Sequence, residues 1–238
     1  MAKSISNSDI YSSKTWEKIF EPELAYITDV QVYNIIMIIL GMIPPTNKWK
    51  TAAAASTAKY HPICSLGTGG LIRHTKFVVQ NIYELIRATP KLEEERSELI
   101  AAAILHDLMK YPTEDTIYSR PDHPTLMKKF IYDLIKEKRI CFPDVKKAKV
   151  IARLISKHQG RAEWQKDKQG NLINKSPTRL DEWALHYADL LASRVYMNVD
   201  FDEDGNLILD TCVNRDEVIQ EIKMANKKKE KVIKLKEI

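Results

Sequence analysis

Apolar side chains recur at i, i+3, i+4 and i+7 through most of this chain, the spacing that gives an α-helix one buried face. Leu71, Phe77, Val78, Ile82, Leu85 and Ile86 form one such face. Leu99, Ala102, Ala103 and Leu105 form a second, after the charged opening Glu93-Glu94-Glu95-Arg96. The same period predicts helices over Pro124–Lys138, Pro143–Lys157 and Leu180–Met197. Pro90, Pro112, Pro121, Pro143 and Pro177 sit between these segments, where a residue lacking an amide hydrogen separates helices. The most continuously apolar run, Val30–Ile43, contains Gln31 and Asn34 and is shorter than the roughly 20 residues a bilayer requires. It predicts a buried helix. The body of the chain is therefore expected to be all-α.

Two short segments break the helical period. Asp167–Ile173 reads DKQGNLI and Asp202–Ile208 reads DEDGNLI, each placing a Gly-Asn turn before apolar residues as the tip of a β-hairpin would. Asp200, Asp202, Asp204 and Gly205 echo the start of an EF-hand loop, but Thr211 stands where the bidentate glutamate belongs, so an acidic hairpin turn is the expectation. The chain thus divides into a helical segment over residues 1–60, a helical domain over 61–200, and a hairpin with a C-terminal helix over 201–238.

Composition narrows the class. Seven glycines speak against a glycine-rich dinucleotide site, and Cys64, Cys141 and Cys212 are scattered with no CxxC pair, as expected of reduced thiols in a cytoplasmic protein. The polar stretch Met1–Asp9 does not read as a secretory signal. The net charge of +5 equals that of the tail Lys223–Ile238 alone, with its seven lysines and two glutamates. Such a tail is either a solvated terminal helix or a surface for nucleic acid and other polyanions.

The candidate chemistry lies in the histidines. His106 is followed directly by Asp107 in the run AAAILHDLMK, at the end of a helix whose apolar half crosses the core. Two titratable groups placed there cost free energy unless something binds them, and a metal ion is the natural partner. His74 lies in the preceding helix (GGLIRHT), His123 opens the next (DHPTLM), His158 ends the one after (ISKHQG), and Asp189 falls in a later helix (LHYADLLASR). Each helix offers a nitrogen or oxygen ligand, in the order His, His-Asp, His, His, Asp.

That order resembles the HD-domain metal-dependent phosphohydrolases, and the local wording is most similar to the branch containing bacterial HD-domain 3′–5′ exoribonucleases. The similar words are AxxAKYHP from Ala55, GGLIRHT from Gly69, LHDLMK from Leu105, KHQGRAEW from Lys157 and LHYADLLAS from Leu185, spanning about Ile27 to Asp200. The chain departs from that branch twice. Those enzymes carry a nucleic-acid-binding OB domain ahead of the HD domain, where this chain has residues 1–60. The family also often has two adjacent histidines where this chain has His158-Gln159, which removes one ligand and with it the expectation of a third metal.

The resemblance implies a helical bundle holding two divalent ions, with Asp107 bridging them. His74, His106 and Asp189 would complete one site and His123 and His158 the other. Imidazole with carboxylate favours Mn, Fe, Co, Ni or Zn over Mg or Ca. Asp107, Lys110 and Asp189 are the candidate catalytic residues. Lys110 follows Asp107 by three positions and is placed to hold a phosphate oxygen or leaving group, unless it is a surface lysine. Arg73, Arg161 and His61 are further candidates for substrate contact. His186 is either a pocket-rim or a structural histidine, and Trp164 and Tyr187 either stack on a nucleobase or simply pack. The expected function is hydrolysis of phosphomonoester or phosphodiester bonds in nucleotides or oligonucleotides. The alternative is an HD-fold module that binds nucleotide or nucleic acid without turnover.

Overall fold

The structure, a computed structural model, describes residues 14–43, 47–55, 61–113, 116, 119–141, 143–160, 171, 175–197 and 199–208. It is a helical bundle. Its main helices are α1 (Val30–Met42), α2 (Gly70–Ala88), α3 (Arg96–Leu105), α4 (His123–Lys136), α5 (Val145–Ile155) and α6 (Leu180–Ala192). Helix α3 is the axis of the bundle, with every residue from Ser97 to Leu105 buried. Its sequence explains this position. Ala101, Ala102 and Ala103 let neighbours approach closely, while Leu99, Ile100, Ile104 and Leu105 fill the space around them. Helices α1, α2, α5 and α6 pack against α3, α2 also packs on α6, and α4 reaches the bundle through α5.

The N-terminal residues contribute to this core. Trp16 and Phe20 are fully buried, Trp16 donates its indole N–H to the Ile43 carbonyl at 2.6 Å, and its ring meets Trp49 edge-on. Asp29 caps α1 by accepting the Val32 amide at 3.0 Å. The helix over Val30–Ile43 expected from sequence is present, buried along one face and exposed at Val30 and Asn34.

Three helices are shorter than the periodicity predicts, and α5 covers Val145–Ile155 of the expected Pro143–Lys157. Helix α6 stops at Ala192 and not at Met197: the Ser193 hydroxyl takes the Asp189 carbonyl, and the next amide, Arg194, bonds Leu191 only three residues back. Helix α4 ends at Lys136, and Lys138 takes a left-handed φ of 57° that reverses the chain.

Residues 199–208 belong to a second compact unit. There Asp200–Phe201 (β1) pairs antiparallel with Leu207–Ile208 (β2), and the Asp202 carboxylate accepts the Asn206 amide at 2.8 Å, so the acidic stretch is a hairpin turn as expected. The hairpin expected at Asp167–Ile173 and the basic tail Lys223–Ile238 fall outside the described residues, apart from Asn171. Among the described residues no helix is long and apolar enough to cross a membrane.

Candidate metal centre

The site assembles from helix ends. His106 follows the last residue of α3, Asp107 the turn beyond it, and His158 the turn beyond α5. His123 is the first residue of α4, His74 lies in the second turn of α2, and Asp189 projects from the last turn of α6. His74, His106, Asp107, His123 and His158 are all buried, and the Asp189 side chain is 18% exposed.

Local backbone chemistry sets these positions. The start of α2 is held tightly: a Cβ on Gly70 would stand 2.2 Å from the Ser65 carbonyl oxygen, so the chain at Gly70 passes where a larger residue cannot. Arg73 clamps the same loop by donating to the carbonyls of Cys64 and Leu66. Arg153 and Lys157 on the α5 side bond Asp181 and Glu182 at the start of α6, so His158 and Asp189 are carried by helices tied together.

Three of the four imidazoles are aimed by the backbone three residues before them. His106 Nδ1 donates to the Ala103 carbonyl at 2.6 Å, His123 Nδ1 to Arg120 at 2.6 Å, and His158 Nδ1 to Ile155 at 2.7 Å. Donation at Nδ1 leaves each Nε2 as a bare lone pair, the tautomer that ligates metals. Those lone pairs face oxygens. His123 Nε2 is 2.8 Å from Asp107 Oδ1 and 3.2 Å from His158 Nε2, and His158 Nε2 is 3.8 Å from the same oxygen. On the other side, His106 Nε2 is 3.5 Å from Asp107 Oδ2 and 3.8 Å from Asp189 Oδ1. His74 Nε2 approaches these two oxygens at 3.7 and 3.0 Å.

Buried acceptors that face one another without a proton between them cost about 1–3 kcal/mol each. Among the described residues, His106 Nε2 and His74 Nδ1 are buried with no hydrogen-bond partner. A divalent cation is the group such a set fits. Three overlapping triads have their ligand atoms within 4.8 Å of one another: His74, His106 and Asp107; His106, His158 and Asp189; and Asp107, His123 and His158.

Electrostatics prepares the same state. Burial, reinforced by His106 and His123, pushes His158 down to about 3, and burial lowers His106 too. Burial alone would raise Asp107, but Lys110 and the neighbouring imidazoles outweigh it and hold the carboxyl well below its usual range. Asp189 is lowered likewise, with the His74 hydrogen bond prominent among the causes that overcome its burial. Neutral imidazoles beside ionised carboxylates are the protonation state that accepts metal.

The other residues singled out from sequence divide. Lys110 reaches the site by a turn beyond α3, donating to Asp107 Oδ2 at 2.7 Å. Burial would lower its pKa, yet Asp107 and Asp189 raise it, so it stays a cation. His61 lies against His74, ring centroids 5.3 Å apart, with both nitrogens buried and unpartnered among the described residues, and burial pushes it down to about 4. Arg73 is engaged by its loop. His186 donates Nδ1 to the His158 carbonyl at 2.8 Å, and its ring fills the place where Gly160 would carry a Cβ. Tyr187 is half exposed and stacks on Trp183. Arg161 and Trp164 lie outside the described residues. Sequence reasoning missed the direction of Gln159, whose amide nitrogen is 3.2 Å from His123 Nε2. No periodicity signals such a contact.

The family model described as HD domain matches residues 71–194. Neither a curated protein nor a solved structure matches the chain.

Proposed function

Because the chain belongs to the HD domain family, a superfamily of metal-dependent phosphohydrolases, we propose that it cleaves phosphomonoester or phosphodiester bonds of nucleotides or oligonucleotides. The observation that carries the reading is the set of buried imidazoles of His74, His106, His123 and His158 gathered around the carboxylates of Asp107 and Asp189. In this reading His74, His106, Asp107 and Asp189 hold one divalent ion, and Asp107, His123 and His158 hold a second. Bound there, such ions would cancel charge on the phosphoryl oxygens and bring the pKa of water near neutrality. The nitrogen-rich ligand set favours Mn, Fe, Co, Ni or Zn.

The protein's own side chains do the rest. Asp107 and Asp189 stay ionised inside a buried pocket, and Lys110 keeps an ammonium 2.7 Å from Asp107. As a compact cation at the pocket edge, Lys110 holds a phosphoryl oxygen or the leaving oxygen as charge develops on it. His61, neutral and packed beside His74, lines the substrate side. The tail Lys223–Ile238 offers polyanions a second hold and favours an oligonucleotide over a free nucleotide. Free thiols at Cys64 and Cys141 support a reducing, cytoplasmic setting.

The test is hydrolysis of a generic phosphodiester with and without Mn²⁺, followed by nucleotides and short RNA and DNA. Activity is expected only with metal, and a His106→Ala, Asp107→Ala double variant is expected to lose both metal loading and turnover. Persistent turnover in that variant would refute the site. Removing residues 223–238 is expected to lower oligonucleotide cleavage while sparing mononucleotides.

A further inference from the structure

Helix α6 reverses the usual order of a surface helix. Its charged residues point inward: Asp181 and Glu182 are buried on ion pairs with Arg153 and Lys157, and Asp189 faces the histidine cluster. Its outward positions carry Leu180, Trp183, Tyr187 and Leu191, which are 48, 38, 49 and 37% exposed. Spacings of three, four and four residues set these side chains on one stripe. Between Glu182 and Arg194 the sequence has no charged residue except Asp189, so nothing ionic interrupts it. Val195 and Tyr196 follow, both exposed. These six make up two thirds of the exposed large apolar side chains among the described residues, so the exposure is concentrated in one place and not scattered.

The middle of the stripe is already packed. The Trp183 and Tyr187 rings stack with centroids 5.4 Å apart, and both meet the His186 ring at 5.5 Å. Rings held in this way lose little further freedom when a partner covers them. Aromatic anchors ringed by leucine, with charge kept away, are the composition of an interface core.

The order of the stripe also says what covers it. Leucine, aromatic, aromatic, leucine is the same sequence from either end. A two-fold axis perpendicular to the helix would set Leu180 of one copy against Leu191 of the other, and Trp183 against Tyr187. Such a contact requires a surface complementary to itself. An uncharged stripe offers no such match to a polyanion. The four side chains hold out roughly 400 Å² per copy, taking about 200–250 Å² for each when fully exposed. Two copies with their rims therefore reach the roughly 1,000 Å² that a specific interface needs.

We propose that the outward face of α6 is a homodimer contact, in which α6 of a second copy of this chain packs antiparallel across a two-fold axis with Trp183 and Tyr187 at the centre. Asp189 lies on the inner side of the same helix, so each copy braces the element that carries one carboxylate of the other copy's cluster.

The experiment is sedimentation of the full-length protein from about 1 to 100 μM, the range suited to an interface of modest area. Wild type is expected to pass from monomer to dimer. Tyr187→Glu should raise the dissociation constant on the order of 100-fold, whereas Val30→Glu, at an exposed apolar position elsewhere, should leave it unchanged. Melting of dilute Tyr187→Glu at the temperature of the wild-type monomer shows that the fold is intact. For the orientation, an equimolar mixture of Leu180→Cys and Leu191→Cys chains is oxidised. It should form covalent dimers above the wild-type level, and neither variant alone should do so. Wild type that stays monomeric, a Tyr187→Glu variant that still dimerises, or cross-linking by one variant alone as readily as by the mixture would overturn the inference. So would a monomeric wild type whose fluorescence is quenched by a short oligonucleotide through Trp183, which would give the face to a nucleobase.

Discussion

At Lys110 one ammonium serves a buried carboxylate and faces the pocket, so its removal separates two effects. Lys110→Ala is expected to lower kcat by about 10²-fold or more, because a positioned cation is lost where charge develops. Metal binding should survive, since all six ligand side chains remain. Lys110→Arg should not rescue, because a planar fork does not replace a compact charge packed on Asp107. Steady-state kinetics beside calorimetry reads both, and a variant with wild-type kcat would remove Lys110 from the chemistry. The histidines make a second prediction, for the metal-free protein. Burial holds His158 down to about 3 and His61 to about 4, against an ordinary 6.5. Between those values the unfolded chain takes up protons that the folded chain refuses, so stability falls as pH drops below about 6.5 and keeps falling towards 4 and 3. Each proton so refused contributes a slope of about 1.4 kcal/mol per pH unit. Urea unfolding at pH 7.5, 6, 5 and 4.5 measures it, and a flat profile would contradict the burial of these rings.

For the helices, the glycine that opens α2 carries the sharpest expectation. Gly70→Ala would set a methyl 2.2 Å from the Ser65 carbonyl, a backbone atom that cannot swing aside. A cost of about 1–3 kcal/mol is expected from such overpacking, read as a lowered Tm, with His74 displaced along with the helix start. The helices themselves were legible in the sequence because their apolar period is set by the same α3-centred core that buries them. Their ends were less so. The Ser193 hydroxyl that closes α6 and the left-handed Lys138 that closes α4 are single-residue choices that leave no periodic trace. The words GGLIRHT and KHQG flagged His74 and His158, but not that Arg73 is spent on the loop carbonyls or that Gln159 turns inward. Those depend on turns whose geometry a string of letters does not carry.

Across the whole molecule, six proposed ligands come from five helices or the turns that follow them, so a bound cation links elements far apart in sequence. Mn²⁺ or Zn²⁺ is expected to raise the Tm, by about 2.7 kcal/mol of added stability at a hundredfold excess over Kd, and EDTA should reverse it. Asp107→Asn should abolish most of the shift, and a shift unchanged in that variant would place the cation elsewhere. The all-α body and the ligand order were readable from sequence because both are one-dimensional patterns. The resemblance already implied a shared Asp107, but the further overlaps of the three triads at His106 and His158 were not readable, since they arise only where the ends of α2, α3, α4, α5 and α6 meet. One feature of that meeting reaches into descent. His106, His123 and His158 each take their bearing from a carbonyl three positions earlier in their own chain segment. The intervening connectors can lengthen, shrink or be rewritten over generations while each imidazole keeps its heading, so new substrates can be recruited around an unchanged hub.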